Sequence, residues 1–157
     1  MKTGNMSKEK SMNQGKQFST FYIDGRLYGI DVMKVQEVTK PMQVTSMRTA
    51  PPFIKGLINL RGQIATAIDL RELFGLNPDS STEKMTVVCR LEDVLISLLV
   101  DNIGDVIETV DQNFETSPLT ITPKIRSFMQ GIYKTDDAIL SIINLDNILI
   151  ELDKRCA

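Results

Sequence analysis

The chain has 157 residues, 42% hydrophobic and 24% charged, with a formal net charge of −2. This is the composition of an ordinary globular protein with room for one good core or two small linked ones. That balance, with no Trp and 6% aromatic residues, supplies neither the basic surface nor the stacking residues that nucleic acid or an anionic membrane requires.

The absence of His removes triad bases, His-ligated metals and the usual neutral-pH proton shuttle. The two cysteines, Cys89 in the apolar run Val87-Val88-Cys89 and Cys156 near the C-terminus, read as free thiols in a reducing compartment. Residues 1–16 are polar and aperiodic and lack the apolar centre of a signal peptide, so a disordered tail is expected there. No apolar run is long enough to span a bilayer, which predicts a cytoplasmic protein without membrane insertion.

Gln17–Ile23 and Arg26–Asp31 read as strands joined by the turn pair Asp24-Gly25. Val32–Val35 has the spacing of one helical turn, and Gln36–Thr39 is extended up to Pro41. Pro51-Pro52 stiffens the entry to the next unit. That unit is two strands, Gly56–Leu60 and Gln63–Ile68, around Arg61-Gly62. Asp69 then reads as an N-cap with Glu72 completing a capping box, and Gly75 as a helix stop. Asn77–Lys84 is a polar loop and the expected break between halves. Beyond it come a hairpin, Met85–Leu91 and Val94–Asp101 around Glu92-Asp93, and a strand at Val106–Val110. Thr116–Pro123 reads as an extended loop. A third hairpin, Ile132–Thr135 and Ala138–Asn144, turns at Asp136-Asp137 before a helix from Leu145 to about Asp153.

Gly131–Leu145 lies without gaps on Gly56–Leu70, an offset of 75 residues, so each half carries a strand-turn-strand-cap-helix unit. Many short strands with hairpin turns and little helix predict a mainly β fold of two small barrels. The echo also separates what the hairpin needs from what it does not, because Arg61 is replaced by an acidic turn in the second copy. Two readings of Arg61 stand open, a solvated turn residue and a partner contact. Val32, Val35 and Val38 could form one apolar stripe with Glu37 on the neighbouring face, either as barrel core or as a groove for a helical partner. A groove rimmed by one acid and one arginine has the make-up of an interaction hot spot.

Nothing in the chain assembles catalytic chemistry. Glu92-Asp93 and Asp136-Asp137 sit at hairpin tips, where Asp serves turn geometry. Asp101, Asp105 and Glu108 match no calcium loop. A hydrolase or ligand-binding barrel would need a pocket of convergent acids at Asp101 or Asp105. No phosphate-binding loop, Cys-x-x-Cys or nucleophile elbow occurs, so a non-enzymatic protein with no cofactor or metal is expected.

The segment Ile54-Lys55-Gly56-Leu57-Ile58-Asn59-Leu60-Arg61-Gly62, with Ile68-Asp69-Leu70 and Phe74-Gly75, closely resembles the CheW family of chemotaxis coupling proteins. Tyr28-Gly29-Ile30-Asp31, Val35-Gln36-Glu37-Val38, the Val100-Asp101 to Asp105-Val106 region and Gly131 extend the match from about Gln17 to Leu152. The resemblance implies a single domain, 17–153, of two intertwined five-stranded β-barrels, each around its own core, with a groove between them. The subdomains would fall at about 24–84 and 85–153, with the strand 17–23 joining the second. It further implies an adaptor that binds the cytoplasmic tip of chemoreceptors and the regulatory domain of the histidine kinase CheA, with other copies of the chain in rings. A CheW-like adaptor of a non-flagellar pathway, controlling twitching or a second messenger, is the alternative. Matched motif by motif, Val35, Glu37, Val38, Gly56, Arg61 and Gly62 are the receptor-facing residues, while no motif marks kinase-facing ones. The chain departs at Ala65-Thr66, where the family has an apolar residue and then proline. Thr keeps the backbone donor, so this bears on partner preference rather than on the fold.

Overall fold

The computed structural model describes residues 15–77 and 83–156, and the side chains of Arg155 and Cys156 lie outside it. Residues 1–14 of the expected tail, most of the loop before Lys84 and the expected Cys156 thiol therefore fall outside the described residues, while Lys16, at the end of that expected tail, already belongs to the first strand. In chain order the strands are β1 (Lys16–Ile23), β2 (Arg26–Asp31), β3 (Val35–Thr39), β4 (Ile54–Leu60) and β5 (Gln63–Asp69). They continue as β6 (Met85–Leu91), β7 (Val94–Val100), β8 (Asn102–Thr109), β9 (Phe114–Glu115), β10 (Met129–Lys134) and β11 (Ile139–Ile143). Among the described residues there are also three α-helices, α1 (Leu70–Leu73), α2 (Pro123–Arg126) and, after the last strand, α3 (Leu145–Cys156).

The strands make two sheets, a six-stranded one in the order β8-β1-β2-β11-β10-β9 and a five-stranded one in the order β3-β6-β7-β5-β4. Both ladders are open at their edges rather than closed barrels, and the first has one strand more than expected. The sheets also do not follow the expected division near residue 84. β2 lies in the six-stranded sheet, whereas β6 and β7 complete the five-stranded one. The physical reason is a reciprocal exchange. Each strand-turn-strand unit pairs in parallel with a hairpin from the other half of the sequence, β5 with β7 and β11 with β2. β1 thereby sits beside β8, among strands of the later half.

The repeat seen in the sequence holds to the residue. β4 pairs with β5 as Ile54↔Ile68 and Gly56↔Ala67, with a bulge between, and β10 pairs with β11 as Met129↔Ile143 and Gly131↔Ile142, bulged at the same place. Asp69 N–H donates to Phe53 O at 2.8 Å, and Asn144 N–H donates to Phe128 O at the same distance. A second echo, at an offset of 68 (Tyr28 to Ile96), relates β1, β2 and β8 to β6, β7 and β3. Val38 pairs with Val87, and Val106 pairs with Ser19.

Burial explains why β6 and β7 are apolar almost throughout: both of their faces are covered. Val87, Cys89, Ile96, Leu98 and Val100 face a large cluster that also contains Phe21, Tyr28, Phe128 and Ile132 of the six-stranded sheet. Val88, Leu95 and Leu99 face a smaller cluster with Ile58 and Leu60. Phe18, Leu27, Tyr133, Leu140 and Ile142 make the matching private cluster of the other sheet. The expectation of one core per lobe is thus corrected: the largest core is shared between them. Burial pushes the Cys89 thiol up to about 12 against the nearby charge of Lys34, so it is an inert packing residue.

Candidate functional site

The β4–β5 hairpin turns on Arg61-Gly62, with φ of 51° and 92° and Leu60 paired to Gln63. Two positive-φ residues in a two-residue loop are what the twist of a tight hairpin demands. Asn59 Oδ1 accepts from Gly62 N–H at 2.9 Å and closes the turn. The Arg61 side chain is 83% exposed, and its guanidinium donates to Glu37 Oε2 at 3.1 Å. Glu37 is 20% exposed on the edge strand β3, and its other oxygen, Oε1, is buried without a protein hydrogen-bond partner.

The residues before Glu37 do not form one stripe. Val32–Lys34 is a single 3-10 turn capped by the Asp31 side chain, which accepts from Met33 N–H at 3.0 Å. A bulge between Val35 and Glu37 then leaves Gln36 as the extra residue. Bulges re-aim side chains, and here Val35 packs against the shared core while Val38 is 39% exposed. Met33 is 87% exposed beside a cleft of about 470 Å³ that reaches Lys16, Gln17 and Glu108.

Glu37 and Arg61 therefore meet on one exposed margin with Gly62 at the hairpin tip, while Val38, paired with Val87, points to the other face of β3, and Val35 packs against the shared core. Gly56 does not belong to that margin. It is buried at φ 143°, and a Cβ there would stand 1.9 Å from Thr45 O. Thr45 and Leu57 exchange two backbone hydrogen bonds at 2.8 Å across this point. Glycine is required there by that close approach. Thr66 sits centrally in β5, paired with both Leu57 and Ile96.

Sequence reasoning missed Arg90 with its two glutamines beside this margin, and Val106 on the other lobe. Arg90 on β6 donates from Nε to Gln36 Oε1 at 3.0 Å and from an Nη to Gln63 Oε1 at 3.1 Å. Val106, the counterpart of Val38 on the other lobe, is 61% exposed. For Val106 a signal existed, since Val35-Gln36-Glu37-Val38 is echoed by Ile103-Gly104-Asp105-Val106. For Arg90 and its glutamines there was none, because their meeting depends on which strands neighbour which.

The acids considered for catalysis do not converge. Asp101 is held by Lys84 Nζ at 2.6 Å and by Asp24 N–H at 2.8 Å, with Arg71 Nε at 3.4 Å, and Asp105 is exposed. Among the described residues, no group of three or more His, Cys, Asp or Glu is placed to hold a metal ion, and no helix is long and apolar enough to cross a membrane. The expected capping box is half formed. Asp69 accepts from Arg71 and Glu72 N–H at 2.9 and 3.4 Å, but the Glu72 carboxylate turns to Lys55 Nζ at 2.7 Å.

Fold and margin together define a β-sheet contact protein, one that works through its surfaces. The profile of the CheW-like domain matches residues 17–153. The chain is 28% identical over 150 residues to a protein described as probable chemotaxis protein CheW of Rhizobium etli, covering 94% of this chain and 97% of that one. It is 29% identical over 147 residues to the chemotaxis protein CheW of Klebsiella aerogenes, covering 92% and 87%. Among solved structures, the scaffolding protein TtCheW from Thermoanaerobacter tengcongensis superposes with a TM-score of 0.75 at 33% identity, over 82% of this chain and 88% of that one. The chain belongs to the CheW-like domain family, as a non-enzymatic chemotaxis adaptor.

Proposed function

We propose that this chain couples chemoreceptors to a CheA-type histidine kinase, contacting the cytoplasmic tip of the receptor through the margin formed by β3 and the Arg61 hairpin. The observation that carries this reading is the exposed Arg61–Glu37 pair on an edge strand. A surface ion pair of this kind contributes only about 0–1 kcal/mol to stability, so the fold gives little reason for its presence. Val38, the next residue of β3, adds exposed apolar surface. An amphipathic receptor helix presenting an apolar stripe and opposite charges is complementary to such a margin.

An adaptor needs a second surface. Leu119 and Ile139, 87% and 53% exposed, lie on the other lobe beside a cavity of about 430 Å³ lined by Tyr22, Leu27, Pro118 and Ile121. This is the surface we assign to the kinase regulatory domain, the protein acting at the cytoplasmic face of receptor arrays. Coupling would then work by population shift, a rigid body transmitting receptor state to the kinase without chemistry of its own. Reconstitution of receptors and kinase with and without this chain tests the proposal. Receptor-dependent kinase activity is expected only in its presence, Arg61→Glu should abolish receptor recruitment, and Ile139→Glu should abolish kinase recruitment. Kinase activity indifferent to the protein would refute the coupling role.

A further inference from the structure

The receptor-facing margin is built from two elements that are not neighbours in their sheet. β3 pairs with β6, and β5 follows only after β7. The backbone ladder through β6 and β7 sets their spacing within the sheet, and side chains reaching across those strands set how the hairpin tip faces β3. Among the described residues there are two such links. One is the Arg61–Glu37 pair itself, whose arginine end is 83% exposed and carries the whole rotamer freedom of a long side chain. The other is Arg90, also exposed, whose guanidinium is bound at two points instead of one.

Arg90 stands on β6, next to the bulge of β3. Its Nε donates to the side-chain oxygen of Gln36, the bulge residue, at 3.0 Å. Its Nη donates to the side-chain oxygen of Gln63, the first residue after the Arg61-Gly62 turn, at 3.1 Å. One guanidinium thus ties the irregular point of β3 to the hairpin tip, immediately beside the place where Glu37 meets Arg61. A lysine ammonium could keep the charge, but it is a point donor and lacks the spaced parallel donors of the guanidinium.

We propose that Arg90 is a positioning residue of the receptor-facing margin, setting how the hairpin tip faces β3 so that Arg61 and Glu37 are presented together. The inference rests on the receptor-facing reading given above. Arg90 shapes the margin through Gln36 and Gln63 and is not itself required to touch the receptor.

The test titrates a purified receptor cytoplasmic-tip fragment against the full chain and its Arg90→Ala, Arg90→Lys, Gln63→Ala, Arg61→Glu and Arg90→Ala/Gln63→Ala variants, with folding of each checked by thermal melting. Arg90→Ala and Gln63→Ala should each weaken binding by roughly three- to tenfold, and the double variant should be no weaker than the worse single one. Arg90→Lys should recover little of the loss. In parallel, backbone amide relaxation of Arg61–Gln63 in the free protein should show a more mobile tip in Arg90→Ala, a readout that needs no receptor. An unchanged tip in Arg90→Ala, or full recovery by Arg90→Lys, would overturn the positioning role. Loss of binding in Arg61→Glu with none in Arg90→Ala would overturn it while leaving the receptor reading standing. Unimpaired binding by folded Arg61→Glu would overturn the receptor reading, and the relaxation measurement would still decide the role of Arg90.

Discussion

Arg61 occupies a backbone conformation that costs an L-residue about 1 kcal/mol or more, at φ 51°. The matching turn at Asp136-Asp137 closes without any positive φ, through Thr135 N–H to Ala138 O at 2.9 Å. Asp24 and Glu92 take the same conformation at the first position of their turns, at φ 54° and 53°, so the strain belongs to the two-residue turn, and glycine would fill it more cheaply. Arg61→Gly should therefore leave the urea unfolding midpoint unchanged or raised, within about 1 kcal/mol, while receptor recruitment falls. A clear loss of stability would show that the arginine is structural. The two hairpin glycines divide in the opposite sense. Gly56→Ala would drive a methyl into Thr45 O and should cost about 3 kcal/mol or more by thermal melting. Gly62→Ala meets no atom within 4 Å and should cost only the backbone strain of about 1 kcal/mol. The sequence showed that Arg61 was dispensable to the hairpin, because its second copy lacks it. It could not show the partner 24 residues away on β3, nor that Gly56 answers a close contact from Thr45, since both depend on tertiary neighbours.

At the scale of elements, the strands were legible because both periodicities were present: alternation where one face is wet, and continuous apolar runs where both are dry. Turn pairs and caps placed most boundaries within a residue or two. The helix α2 after Pro123 was not read, because four residues leave no period, and β8 was read from Val106 although it begins at Asn102. The cap at Asp69 was found for a sound reason but only in part, since its reciprocal partner went to Lys55. Asp69→Ala would remove the acceptor for two N–H groups in a buried position and should destabilise the protein by about 1–2 kcal/mol in chemical denaturation. Glu72→Ala should cost less, because its lysine partner is 37% exposed. Equal losses for both would indicate that the full reciprocal box forms in solution.

The whole molecule is held as one body by the core that both sheets share, and among the described residues the chain passes between the sheets at two places. One crossing is the 3-10 turn Val32–Lys34, which borders the cleft. The other is Asp101, the single residue between β7 and β8. Its carboxylate receives Lys84 Nζ and the Asp24 N–H, with Arg71 close by, while Arg71 also binds the Asp24 carboxylate at 3.0 Å. The tip of the β1–β2 hairpin on one lobe is thereby clasped to α1 and to the start of β6 on the other. No sequence pattern announces this, because its four residues come from four separate segments that only the strand exchange brings together. Burial pushes the Asp101 carboxyl up, but the Asp24 N–H, the Lys84 ammonium and the Arg71 guanidinium outweigh it and hold the group below its ordinary 3.8. A carboxyl whose folded pKa lies below its unfolded one stabilises the fold above the unfolded value and loses that contribution as pH falls through the folded one. The clasp should thus be fully present at pH 7 and fail below about pH 4. Asp101→Asn keeps the shape, removes the charge and leaves Lys84 and Arg71 without it. At pH 7 it should lower unfolding stability by about 1–2 kcal/mol relative to the parent chain, and the two urea curves should converge as the pH is taken below 4. A stability gap that persists unchanged at pH 3 would place the effect in packing instead of charge.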